Sequence, residues 1–92
     1  MASVGDLGEG VLSIVDEMEA RLQRAQAELS GDDGKGNIED RALALGELVM
    51  DSSREDVREV AGQVMSSTTV AVDAVATALQ ALAIARQYAA SL

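Results

Sequence analysis

Apolar side chains recur every three or four residues through the first third of the chain. After Leu7 the steps alternate between four and three in the row Val11, Val15, Met18, Leu22, Ala25 and Leu29. This spacing is typical of a heptad stripe on an amphipathic helix, which we predict over residues 6–30. Glu17 and Arg21 lie off the stripe as a favourable pair four residues apart.

The apolar pattern stops at "SGDDGKGN", residues 30–37. Three glycines and two aspartates in eight residues predict a loop, which we place at 31–37. Gly31 stands where a glycine commonly ends a helix. Asn37 is a suitable N-cap for the next helix, with Asp40 three residues later.

A second, shorter stripe follows the loop and predicts a helix over 38–51, with apolar positions Ile38, Ala42, Leu45 and Val49. The polar segment at Ser52 and Ser53 then interrupts the phase. Each serine is followed three residues later by an acid, as in a capping box. Either a new helix begins here after a tight turn, or the helix runs through with a polar stripe. We favour the break, because the cap signal is doubled.

The longest pattern covers residues 54–90, where every step is three or four. The row comprises Val57, Val60, Val64, Thr68, Ala71, Val75, Ala78, Leu82, Ala85 and Ala89, and a second row at steps of seven comprises Met65, Val72, Leu79 and Arg86. Valine favours strands, but strands do not sustain such spacing for thirty residues. We therefore predict one helix, roughly 55 Å long at 1.5 Å per residue.

These helices predict one all-α domain over 1–92, either a helical hairpin or a three-helix bundle with a long C-terminal helix. Two shorter helices can line the long helix but cannot encircle it, and that helix is apolar on more than one face. We therefore expect a homodimer, packed as a larger bundle. The predicted interface residues are Val64, Val72, Val75, Leu79, Leu82 and Tyr88.

Charge and composition disfavour several classes of partner and of catalytic chemistry. The net charge of −9 and the pI near 4.2 disfavour nucleic acid and anionic membrane surfaces, and they suit a basic protein partner. The chain has no histidine and no cysteine, so the usual general base, metal ligand and thiol nucleophile are missing. We expect a non-enzymatic interaction or structural module without catalytic residues, metal or cofactor.

Several local patterns have a second interpretation. The segment 32–38 resembles the middle of a calcium-binding EF-hand loop, but Gly31 and Ala42 stand where that loop needs acidic ligands. Acids such as Asp16 and Glu19 are interpreted as a solvated face. Asp73 interrupts the apolar C-terminal third, which favours packing in water over a membrane span. The N-terminus is no conventional signal peptide, and we expect a cytoplasmic protein, with export by a non-classical route left open.

Three resemblances extend this interpretation. The turn into "EDV" within 52–57 and the tail at 87–92 resemble small all-helical actinobacterial proteins of uncharacterised function. More distantly, the chain resembles the acidic, often dimeric helical hairpins exported by type VII secretion systems. It lacks their Trp-x-Gly turn, and no acid follows Tyr88 where their export signal has one. "MDSSREDV" resembles the Asp-Ser of acyl carrier proteins, which implies a carrier or accessory role in a biosynthetic pathway as an alternative.

Overall fold

The computed structural model describes residues 4–31 and 36–92, with side chains from residue 6 onward. Three helices account for most of this chain: α1 (Val4–Ser30), α2 (Ile38–Val49) and α3 (Glu55–Ala90). No strand is present among the described residues. The prediction of an all-α protein with a long C-terminal helix is confirmed.

Both shorter helices lie along α3, and they touch each other only slightly. Gly8 of α1 lies against Ala89 near the end of α3, whereas Gly46 of α2 lies against Met65 in its first half. The principal-axis extents are 66 × 26 × 18 Å, the dimensions of a rod two helices wide. Of the two predicted arrangements, the structure adopts the hairpin, with one arm broken into α1 and α2.

The connection between α1 and α2 is organised by Asn37, which is buried. Its Oδ1 accepts a hydrogen bond from the Asp40 N–H at 2.8 Å, so the predicted N-cap is confirmed. Its Nδ2 donates to the Gly31 carbonyl oxygen at 2.8 Å and ties the two helix ends together. Gly36 supplies the left-handed backbone, with φ of +82°. Gly31 follows the end of α1 as predicted. Here the constraint is steric rather than a left-handed backbone, because a Cβ on residue 31 would lie 2.7 Å from Ala27 Cα.

The second connection confirms the predicted break and corrects its chemistry. α2 ends at Val49 rather than at residue 51, and α3 begins at Glu55. The predicted capping boxes are wrong, because Arg54 is the N-cap and no side chain caps the helix. Ser52 Oγ instead accepts from the Arg54 N–H at 3.1 Å. A serine that bonds two residues ahead forms a local turn and cannot also reach the helix start.

The core is thin. The buried apolar residues are Val15, Ala42, Ala61, Leu82 and Ala89. Three of the five are alanines, and no large side chain of the described residues is fully buried. A two-helix rod covers only one stripe of each helix, so much apolar surface stays in contact with solvent.

Candidate interaction surface

α3 presents one covered side and one bare side. The covered side, the inner seam, is centred on two adjacent rows at steps of seven: Ala61, Thr68, Val75, Leu82 and Ala89, and Met65, Val72, Leu79 and Arg86. Every member is buried or half-buried. Spacing at sevens is the pattern of helices packed in a left-handed coiled coil. The seam is therefore where α1 and α2 lie.

The seam corrects part of the predicted packing row. Val60 and Val64 belong to that row but are exposed, while Ala61, which it omitted, is buried. Thr68 is buried as the row requires, and its hydroxyl donates to the Val64 carbonyl oxygen at 2.8 Å. That hydrogen bond satisfies the Thr68 hydroxyl and so offsets the cost of burying a polar side chain in an apolar seam.

Four of the six predicted interface residues lie in the inner seam. Leu82 is only 9% exposed, and Val72, Val75 and Leu79 are half-buried. Within the single chain these four residues form part of the hairpin core. That they contact another molecule stays a prediction. The other two, Val64 and Tyr88, are exposed.

The bare side of α3 carries a second heptad-spaced row that was not predicted. This outer row consists of Val70, Ala74, Thr77, Ala81, Ile84 and Tyr88, separated by four, three, four, three and four residues. All six residues are exposed, with 67% of Val70, 67% of Ile84 and 58% of Tyr88 accessible to solvent. None is charged. Such a row is the pattern of a helix that packs against another helix.

Arg86 lies in the inner seam and joins α1 to α3. One guanidinium nitrogen donates to Asp16 Oδ1 at 2.7 Å and to Glu19 Oε2 at 2.9 Å. These hydrogen bonds, the one to Glu19 foremost, raise the pKa of Arg86 above its ordinary value. Asp16 and Glu19 were interpreted as part of a solvated acidic face: Asp16 is exposed as expected, Glu19 is half-buried, and both also bind this guanidinium. The predicted pair of Glu17 and Arg21 is present at 2.9 Å.

A smaller apolar groove lies between α2 and the start of α3. It has a volume of about 220 Å³ and is lined by Leu45, Val49, Asp56, Val57, Val60 and Ala61. Leu48 and Met50, close by in sequence, are 84% and 63% exposed. The groove adds to the apolar surface that the single chain leaves bare.

No group of three or more acidic, histidine or cysteine side chains suited to a metal occurs within 4–31 and 36–92. Every buried side-chain nitrogen or oxygen found there has a hydrogen-bond partner. The acids and the lysine of the EF-hand-like segment, at 32–35, lie outside the described residues.

No protein-family model matches the chain, and no curated protein and no solved structure is similar enough to match.

The length and apolar character of α3 are those of a helix that could span a membrane. Among the described helices it is the one long and apolar enough to cross a membrane, by length and composition alone. The most apolar part is mostly exposed in the single chain. Core helices of water-soluble proteins meet the same criterion, but those are mostly buried.

Proposed function

We propose that the protein is a non-enzymatic helical module that works by self-association. The observation that carries this proposal is the amount of surface left bare. A compact chain of 9.5 kDa exposes about 5,000 Å², whereas this chain exposes 6694 Å². The excess of about 1,600 Å² is roughly twice what one partner contributes to an interface of ordinary size.

The thin core supports the same proposal. A chain of 92 residues has a narrow margin of stability even when compact. This one has a radius of gyration of 19.0 Å, against about 12 Å for a compact chain of its length. It also has no cysteine that could form a disulfide. Oligomerisation is the stabilising device that remains among the common ones, and it buries the surface that the hairpin leaves bare.

The charge distribution sets the character of the assembly. The exterior of the hairpin carries most of the net charge of −9, while the outer row carries none. The acidic exterior keeps an assembly in solution and favours a basic protein as a further partner. We place the protein in the cytoplasm, with neither nucleic acid nor membrane as a partner.

The shape favours one alternative. A two-helix rod is also the shape that the resemblance to the hairpins exported by type VII systems implies. The absent Trp-x-Gly turn and export signal weigh against that route, so export is the second candidate. Expressing the chain in a host with an active type VII system and assaying the culture medium tests this alternative: absence of the chain from the medium contradicts export.

Thermal unfolding at several protein concentrations tests self-association. Association stabilises the folded state by mass action, so the unfolding midpoint rises with concentration. We expect a midpoint that climbs steadily from micromolar to hundreds of micromolar chain, followed by circular dichroism at 222 nm. A midpoint independent of concentration contradicts the proposal.

A further inference from the structure

We infer that the outer row of α3 is the seat of a second copy of this chain, whose own outer row lies against it in the antiparallel direction. The inference rests on the proposed self-association and specifies its surface and geometry. Val70, Ala74 and Thr77 form one half of the row, and Ala81, Ile84 and Tyr88 form the other.

The register follows from the side chains themselves. The six positions are symmetric about residue 79, so an antiparallel pair places Val70 opposite Tyr88, Ala74 opposite Ile84 and Thr77 opposite Ala81. Ile84 therefore meets a small residue and can enter the space that the small residue leaves. A parallel pair in register places each of the large residues Val70, Ile84 and Tyr88 on its own copy, whereas the antiparallel pair leaves Val70 opposite Tyr88 as the one pairing of two large residues. Interdigitation of large and small side chains is what close-packed interfaces require.

Charge favours the same direction. Asp73 is the one acid beside the outer row between Val70 and Tyr88. A parallel pair in register places the two Asp73 carboxylates side by side. The antiparallel pair separates them by twelve residues, about 18 Å along the helix. That separation exceeds the screening length of about 8 Å at physiological salt.

The backbone can approach closely at the centre of the contact. Thr77 and Ala81 flank the symmetry point, with Ala74 one heptad position beyond. Small side chains here allow the two α3 helices to meet over a row about 27 Å long. The result is a four-helix-wide assembly in which both α3 helices are inside and both acidic α1 helices are outside.

A lipid bilayer is the competing occupant of an apolar face. Asp73 and Gln80 flank the row near its middle and are exposed. In a bilayer these groups are costly, whereas at the edge of a helix pair in water they remain hydrated. The self-complementary register favours a second helix as well, because lipid chains do not require a particular spacing of large and small side chains. We therefore assign the row to a second copy.

The test combines crosslinking with a charge substitution. The chain has no cysteine, so single-cysteine variants need no other change. Tagged Ala74→Cys is mixed with untagged Ile84→Cys and treated with a thiol crosslinker shorter than 15 Å, about the axial separation of two residues 74 in the antiparallel pair. We expect tagged–untagged crosslinks and almost none between two copies of Ala74→Cys.

Ala81→Asp tests the surface independently, because it places a carboxylate at the centre of the contact. We expect the dissociation constant of the dimer to rise at least about a hundredfold. Ala20→Asp is the matched control, since Ala20 is equally an exposed helical alanine but lies on α1. It should leave the constant within about threefold of the parent. Circular dichroism establishes that both variants remain helical.

Four outcomes overturn the inference. Crosslinks between two copies of Ala74→Cys show a parallel pair. A dimer that forms no crosslink and tolerates Ala81→Asp uses another surface, and the proposed function then stands without this geometry. A parent chain that is monomeric at all concentrations overturns both proposals. Flotation of the parent with phosphatidylcholine vesicles, abolished by Ala81→Asp, assigns the row to lipid.

Discussion

At the scale of single residues, the structure depends on polar side chains that form hydrogen bonds with backbone groups. Asn37 caps α2 with its oxygen and holds the end of α1 with its nitrogen. Ser52 bonds the Arg54 N–H, and Thr68 bonds the Val64 carbonyl oxygen. In a chain with so few buried apolar atoms, hydrogen bonds that fix the connections contribute a large share of the conformational specificity.

Replacing Asn37 should separate its two roles. Asn37→Ala removes the cap and the link to Gly31, and we expect the free energy of unfolding to fall by about 2 kcal/mol. Asn37→Asp keeps the oxygen that accepts from Asp40 and loses the nitrogen that donates to Gly31. Its loss should be smaller, in urea unfolding at fixed protein concentration. Equal losses in both variants contradict a capping role.

Asp56 gives a pH-dependent prediction. Its hydrogen bonds with the Arg54 guanidinium hold the pKa of this carboxyl below the ordinary 3.8. Because the folded-state pKa is lowered, the carboxylate contributes stability above pH 3.8 that is lost as pH falls through the lower folded value. Asp56→Asn should therefore be less stable than the parent at pH 6. The difference should vanish well below pH 3.8.

Urea unfolding of the two chains side by side at each pH makes that comparison. Taking the difference cancels the change in overall charge repulsion, because the other fifteen acids titrate in both chains. A difference that is the same at pH 6 and pH 2.5 contradicts a stabilising role for the charged form.

At the scale of helices, the contacts along α3 are close enough to select glycine. A Cβ on Gly8 would lie 3.2 Å from the Ala89 carbonyl oxygen, which belongs to the backbone of α3 and cannot move aside alone. A Cβ on Gly62, by contrast, meets nothing within 4 Å. The first glycine serves the approach of α1, and the second is only a weak helix former.

The same substitution at these two positions should therefore give different results. Gly62→Ala should raise the free energy of unfolding by about 0.8 kcal/mol, the gain in helix propensity. Gly8→Ala gains the same propensity but crowds Ala89, so its net gain should be clearly smaller or negative. Chemical denaturation of both variants at one concentration measures the difference. Equal gains contradict a close approach at Gly8.

The elements could be predicted because their signals are local. Apolar spacing gave all three helices within a few residues of their ends, and Asn37 was recognised because an N-cap acts on the next three residues alone. The prediction of how α3 is capped was wrong, because Ser52 and Ser53 offer two equivalent capping registers. Whether either serine caps the helix depends on the path of the turn before it, which the local sequence does not determine.

The covered side of α3 could not be predicted in the same way. A helix with so many alanines and valines carries several rows at three-four spacing. Which row is buried depends on where α1 and α2 lie, and the sequence of α3 alone carries no information about the positions of those helices. The sequence therefore did not show that Val75 and Leu82 lie in the inner seam of the single chain. The outer row, equally regular, was overlooked.

At the scale of the whole molecule, the hairpin is a rod 66 Å long whose acidic side chains leave one uncharged strip along α3. This combination explains how a strongly acidic chain can associate with itself. In the proposed dimer, repulsion would be spread over a long surface and screened by salt, while the contact would be confined to the uncharged strip. The large bare surface and the thin core have the same physical origin, a long helix with neighbours on one side only.

Sedimentation equilibrium of the unmodified chain at physiological salt, across micromolar to millimolar concentration, tests self-association most directly. Self-association predicts a reversible transition from the mass of one chain, 9.5 kDa, to twice that mass. A mass of 9.5 kDa at every concentration contradicts it.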